Sequence, residues 1–152
     1  MTPTERLAEL GLVLPISPDP LGSYVPATRV GELLFVAGHT ARGPERPATA
    51  GVVGVDVPVE VAAEEAARAA LNLLAAAEKT VGLDSVGAVV SLRGYVRSRD
   101  DFTAHPRVVD GASELLGKVF PGQPHSRAAI GVSSLPGGAC VELEAVLRVG
   151  KS

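Results

Sequence analysis

Residues 140–149 read Cys-Val-Glu-Leu-Glu-Ala-Val-Leu-Arg-Val, and this alternation is the strongest constraint on what the chain can become. Successive side chains of a strand point to opposite faces, so Val141, Leu143, Ala145, Leu147 and Val149 form one row, and Cys140, Glu142, Glu144, Val146 and Arg148 the other. The first row must be covered by something apolar. Two segments have the right pattern. From Pro58, Val59, Ala62, Ala63, Ala66, Ala67, Ala70, Leu71, Leu74 and Ala77 recur at helical spacing up to Gly82, with Glu64, Glu65, Arg68, Glu78 and Lys79 on the other side. A second helix starts near Pro106 and carries Val108, Val109, Ala112, Leu115, Leu116 and Val119 inward, weakened slightly by Gly111 and Gly117.

The remaining segments complete a sheet. From Tyr24, VPATRV, Gly31-Glu32 and LLFVAG read as a hairpin, followed by a Gly/Pro/Ala-rich surface loop over 39–54. Residues 86–97 alternate, with Val90, Leu92, Gly94 and Val96 opposite Ser91, Arg93, Tyr95 and Arg97. SRAAIGVS and CVELEAVLRV, joined by SLPGGA, read as a closing hairpin. Residues 4–11 form a short helix with Leu7 and Leu10 inward, and 1–23 are a lead-in outside the core. The order β-β-α-β-α-β-β predicts a single α/β (α+β) domain over 1–152, a mixed sheet with two helices on one face. The opposite face stays uncovered, and self-association is the economical way to cover it.

With 46% hydrophobic residues, the chain has enough apolar material for one core, and few aromatics make that core aliphatic and alanine-rich. A net charge of −3 with scattered basic residues argues against nucleic acid or an anionic membrane as partner. No apolar run approaches the roughly 20 residues of a bilayer span. Cys140 is the only cysteine, which excludes an intrachain disulfide, and the three histidines lack metal-ligand spacing. Together with the acidic amphipathic start, these features point to a cytoplasmic setting.

In the closing hairpin, Ala128, Ile130 and Val132 are expected toward the helices, and Arg127, Ala129, Gly131 and Ser133 on the uncovered face. The register then sets Glu142 opposite Gly131, on the same face as Arg127 and offset by roughly 7–13 Å along the strands. A small acid held by the guanidinium at one end and approached by the carboxylate at the other fits that gap. Charges that merely face water or a second subunit satisfy the pattern as well.

The segments Tyr24-Val25-Pro26-Ala27, Val30-Gly31 and Phe35-Val36-Ala37-Gly38-His39, with His125-Ser126-Arg127, Leu135-Pro136 and Val141-Glu142-Leu143-Glu144-Ala145, resemble the Rid (reactive intermediate deaminase, YjgF-like) family from about Tyr24 to Val149. The lead-in resembles a subgroup of poorly defined function. The resemblance implies a chorismate-mutase-like subunit, a trimeric barrel and a cleft between subunits. It also implies cofactor-free hydrolysis of enamines or 2-imino acids to 2-keto acids and ammonia. Arg127 matches the substrate-carboxylate ligand, Glu142 the residue near the imine and its water, Tyr24 an aromatic contributor, and Gly38 and Ala129 backbone donors. His125 and His39 are further lining candidates, and His105 is expected to be structural. Ala37, His39 and Ala129 stand where typical deaminases have serine, glutamine and cysteine. The competing reading is therefore non-catalytic binding of a 2-keto acid or another metabolite anion. An endoribonuclease activity attached to some relatives is disfavoured by the charge and the scarce aromatics. Cys140 has no neighbouring base in sequence and is expected to be an inert thiol.

Overall fold

The computed structural model describes residues 1–150. Its elements are α1 (Pro3–Glu9), β1 (Ala27–Val30), β2 (Leu33–His39), α2 (Val59–Val81), β3 (Val86–Arg97), α3 (His105–Val119), β4 (Ser126–Val132) and β5 (Val141–Val149). The strands form one mixed sheet in the order β1-β2-β5-β3-β4, antiparallel except for the parallel pair β3 and β4 that α3 connects. α2 and α3 cover one face. The alternation of β5 holds throughout, with Val141, Leu143, Ala145, Leu147 and Val149 buried.

The two covering helices approach very closely. A Cβ placed on Gly111 of α3 would lie 2.0 Å from the Ala63 carbonyl oxygen of α2, so the glycine is what lets the backbones meet. Ala62, Ala66, Ala69, Ala70, Ala76 and Ala77 are buried along α2, and their small side chains bring that helix down onto the sheet.

Four expectations are corrected. First, β4 and β5 are not a hairpin, because β3 lies between them. Gly137 and Gly138, both with positive φ (64° and 72°), carry the chain past the end of β3. There Arg97 N donates to Cys140 O at 2.9 Å, and Cys140 N donates to Thr49 O at 3.0 Å. β5, with its unbroken apolar row, takes the centre, and the small residues of β4 take an edge. Second, Tyr95, not Gly131, is paired with Glu142, and the faces of β4 are reversed. Arg127, Ala129 and Gly131 pair with Leu92, Gly94 and Val96 and so share the helix side, while Ile130 pairs with Tyr95 on the uncovered side. Third, Glu65 is buried, not on the solvent face of α2. Fourth, the lead-in joins the core through buried Leu7 of α1, whereas Leu10 is exposed. Thr2 and Glu5 cap α1 reciprocally, and Thr4 N donates to Asp84 Oδ1 at 3.0 Å.

The uncovered face carries Phe35, Val146 and Ile130 around a polar centre in which the Tyr95 hydroxyl donates to Glu144 and Arg93 Nη1 lies 3.5 Å from Glu144 Oε1. A register shift between Val89 and Ser91 takes Val90 out of the buried row and leaves it exposed.

Candidate active site

β2 ends in an irregularity. Val36 pairs with Ala145 and His39 with Leu143, so β2 carries one residue more than β5 over this stretch. The shift places Gly38 against Glu142, and an added Cβ there would sit 3.0 Å from Glu142 Oε2. The carboxylate thus packs on the Gly38 backbone, where an added methyl would push it aside by a few tenths of an ångström. Glu142 is half-buried, and burial, reinforced by the charge of Glu144, pushes its carboxyl above the ordinary value.

Beside it, His39 Nδ1 lies 2.7 Å from Ala37 O. A carbonyl oxygen can only accept, so Nδ1 carries the hydrogen and Nε2 keeps its lone pair. Burial lowers the imidazole pKa against the opposing effect of that hydrogen bond, and the positive charge of Arg42 lowers it further, which favours the neutral ring. Tyr24 is half exposed, and its hydroxyl oxygen accepts from Leu21 N at 3.4 Å. Tyr24, Gly38, His39, Arg42 and Glu142 line a single cleft of about 420 Å³, to whose walls Pro18, Pro20, Pro26, Pro47 and Pro136 also contribute.

The wall formed by residues 40–50 is fixed from α2. Buried Asn72 donates from Nδ2 to Thr40 O at 2.8 Å and Arg42 O at 2.9 Å. Glu65 accepts from Arg46 and from Thr49 N. Burial alone would raise the Glu65 carboxyl pKa, but these hydrogen bonds reverse that and hold it below its ordinary value. This loop is tied down.

Arg127 lies elsewhere. On the helix side of β4 its Nη1 is 2.8 Å from Asp110 Oδ1 and donates to Ser113 Oγ at 3.0 Å, while Nη2 donates to Pro106 O at 3.1 Å. Ser113 Oγ also lies 2.9 Å from His125 Nε2. Burial, then the Arg127 charge, lowers the His125 pKa, which suits a neutral ring accepting the serine hydrogen. Arg127, His125 and Ser113 line a second, shallower depression with Gly117, Phe120 and Pro124. Ala129 packs at the core margin on the same side of β4.

The sequence candidates therefore form two groups. Tyr24, Gly38, His39 and Glu142 meet in the cleft, whereas Arg127 and Ala129 sit on β4 and His125 just before it, apart from the cleft. His105 packs edge-on against Phe102 and lies 3.4 Å from Ser98 Oγ, a structural placement. Cys140 is buried, and burial together with the charge of Glu65 pushes its thiol up to about 11. The sequence reading missed Arg42, Asn72 and Glu65. A lone polar Asn72 within an alanine-rich helix was the one available signal for the loop anchor.

A family model described as Endoribonuclease L-PSP matches residues 15–149. The chain belongs to the Rid (YjgF-like) family. Solved members share the chorismate-mutase-like fold, which is the architecture of this Rid chain. "Protein TCP17" of Trypanosoma cruzi is 33% identical over 147 residues, covering 95% of this chain and 92% of that protein. A 2-iminobutanoate/2-iminopropanoate deaminase of Dermatophagoides farinae is 29% identical over 135 residues, covering 89% and 92%. The crystal structure of an Agrobacterium tumefaciens protein with unknown function superposes with a TM-score of 0.88 at 36% identity, covering 97% of this Rid chain and 92% of the other. No helix among the described residues is long and apolar enough to cross a membrane.

Proposed function

We propose that this Rid protein hydrolyses 2-imino acids to 2-keto acids and ammonia, without a cofactor, at a site shared between copies of the chain. The observation that carries the reading is the half-buried Glu142 carboxylate held against Gly38, in a cleft with His39 and Tyr24. A relative named as a 2-iminobutanoate/2-iminopropanoate deaminase supports the substrate class. Glu142 takes a proton from water as the water oxygen bonds to C2 and passes it to the imine nitrogen, giving a carbinolamine. Glu142 then takes the hydroxyl proton and delivers it to the amine nitrogen as the C2–N bond breaks and C2=O forms, so that ammonia leaves and Glu142 is again a carboxylate. Orientation and electrostatics supply the acceleration.

Arg127 and Glu142 lie across the sheet from each other in one chain, so the carboxylate anchor in this reading is Arg127 of a second copy. β4 is an edge strand and the uncovered face carries exposed Phe35 and Ile130, which fits association as a homotrimer in a cytoplasmic setting. The test is ammonia release from imino acids generated in situ by an amino-acid oxidase. Turnover in wild type that is lost in Arg127→Ala and in Glu142→Gln, with the oligomer preserved, supports the reading. Full activity in either variant overturns it.

A second reading rests on one observation. Arg127 is already engaged by Asp110, Ser113 and Pro106 O, which suits a protein that binds a 2-keto acid or similar anion without turning it over. Ligand-induced thermal stabilisation without any ammonia release would favour it. An RNA-cleaving role has less support, because the net charge is −3 and Phe, Tyr and Trp together make up only 3% of the chain.

A further inference from the structure

We propose that Arg42 is a second anion anchor in the Glu142 cleft, and that this selects ligands carrying a carboxylate at the end remote from C2: dicarboxylic 2-imino and 2-keto acids of four or five carbons. The assignment of C2 to Glu142 rests on the function proposed above; the anchor itself rests on the following geometry.

Arg42 lines the same cleft as Glu142, His39 and Tyr24. Its backbone is held on both sides, the N–H donating to Thr40 Oγ1 at 3.3 Å and the carbonyl accepting from Asn72 Nδ2 at 2.9 Å. The guanidinium is steadied by one bond, from Nη2 to Asp19 O at 2.9 Å. Among the described residues its other two nitrogens have no protein partner and no carboxylate lies within ion-pair distance. Arg46 and Arg127 are different, since each is paired with an acid, Glu65 and Asp110 respectively. A planar cation with unfilled donors, fixed in a cleft wall, suits the two oxygens of a carboxylate.

The size and lining of the cleft agree. About 420 Å³ is far more than a three-carbon acid fills, and Pro18, Pro20, Leu21 and Pro47 give an apolar wall for methylene groups. A four- or five-carbon diacid places its chain along that wall, its far carboxylate on Arg42 and its reacting end at Glu142.

The test is isothermal titration of the intact oligomer with 2-oxoglutarate and with pyruvate, for wild type, Arg42→Ala and Arg42→Lys, each checked for folding by circular dichroism. Wild type should bind 2-oxoglutarate about tenfold or more tighter than pyruvate, the scale of a hydrogen-bonded charge pair. Arg42→Ala should reduce that ratio to about threefold or less, and Arg42→Lys, keeping the charge without the fork, should fall between. Should Arg42→Ala misfold, Arg42→Gln replaces it. Equal affinities in wild type, a preference that survives Arg42→Ala, or no binding of either acid would overturn the proposal. Ammonia-release assays report separately on the proposed function: turnover of short monocarboxylic imines without a diacid preference sinks the anchor alone, and diacid binding without turnover of any imine sinks the deaminase alone.

Discussion

Helix propensity and packing make opposite predictions at Gly111, and the geometry decides between them. In a helix interior alanine is favoured over glycine by about 1 kcal/mol, so an isolated α3 would gain from Gly111→Ala. In the protein the new methyl would lie 2.0 Å from the Ala63 carbonyl oxygen and 2.7 Å from its carbonyl carbon. These are backbone atoms within α2, so relief requires the two helices to move apart by more than an ångström, opening space along a contact lined by Ala112 and Val108. Overpacking of this kind costs about 3 kcal/mol, which exceeds the propensity gain and leaves a net loss of about 2 kcal/mol. For a chain of this size that lowers Tm by about 4–8 °C. Gly117 is the internal control. It lies in the same helix with nothing within 4 Å of an added Cβ, so Gly117→Ala should raise stability by about 0.5–1 kcal/mol. Paired thermal and urea melts at one fixed protein concentration measure both changes. The reasoning fails if Gly111→Ala melts at or above wild type while Gly117→Ala behaves as expected.

Further outcomes follow from the cleft, its supports and the buried thiol. Gly38→Ala should displace the Glu142 carboxylate and cut turnover about tenfold or more, with a small change in Tm; unaltered kinetics would remove Gly38 from the site. Because burial and Glu144 hold the Glu142 carboxyl above its ordinary value, the folded state binds more protons than the unfolded chain in that window, and stability falls as pH rises through it. Glu142→Gln should therefore melt higher than wild type at pH 7 while losing activity, and Glu144→Gln should move the acidic limb of the kcat/KM profile to lower pH. Asn72→Leu leaves the carbonyls of Thr40 and Arg42 without their buried donor, at a cost of about 2–4 kcal/mol, and should raise KM as the cleft wall loosens. Cys140, with its thiol pushed up to about 11 and no exposure, should resist alkylation at pH 8 until the protein is unfolded.

The helices and the inward row of β5 were legible because their periodicities are set by burial on one side, which a single segment reveals by itself. Strand neighbours were not. SRAAIGVS followed by a Pro-Gly-Gly turn and CVELEAVLRV satisfies every local rule for a hairpin, and only the parallel pairing of β4 with β3 through α3 excludes it. That one topological fact reverses the faces of β4 and moves Arg127 away from Glu142. Strand parity also failed at two bulges: the one near His39 brings Gly38 onto Glu142, and the one near Val90 exposes a valine. Glu65 and Asn72 were unreadable for another reason. Pattern analysis sends polar side chains to solvent, whereas these two are buried because the backbone of residues 40–49 supplies partners from far along the chain. The resemblance singled out Tyr24, Gly38 and Glu142, which line one cleft, whereas Arg42 stayed hidden in a loop without periodicity.

The position of β5 also bears on how the protein is made. It follows the other four strands of the sheet in sequence, yet it occupies the middle, joined to β2 on one side and β3 on the other. A growing polypeptide that lacks residues 141–149 possesses only two separate ladders, β1 with β2 and β3 with β4, each with an open apolar edge where the last strand belongs. The sheet can close only once residues 141–149 are available, and the same stretch delivers Glu142. A chain that stops before Val141 should be a sticky, aggregation-prone species rather than a partly active subunit.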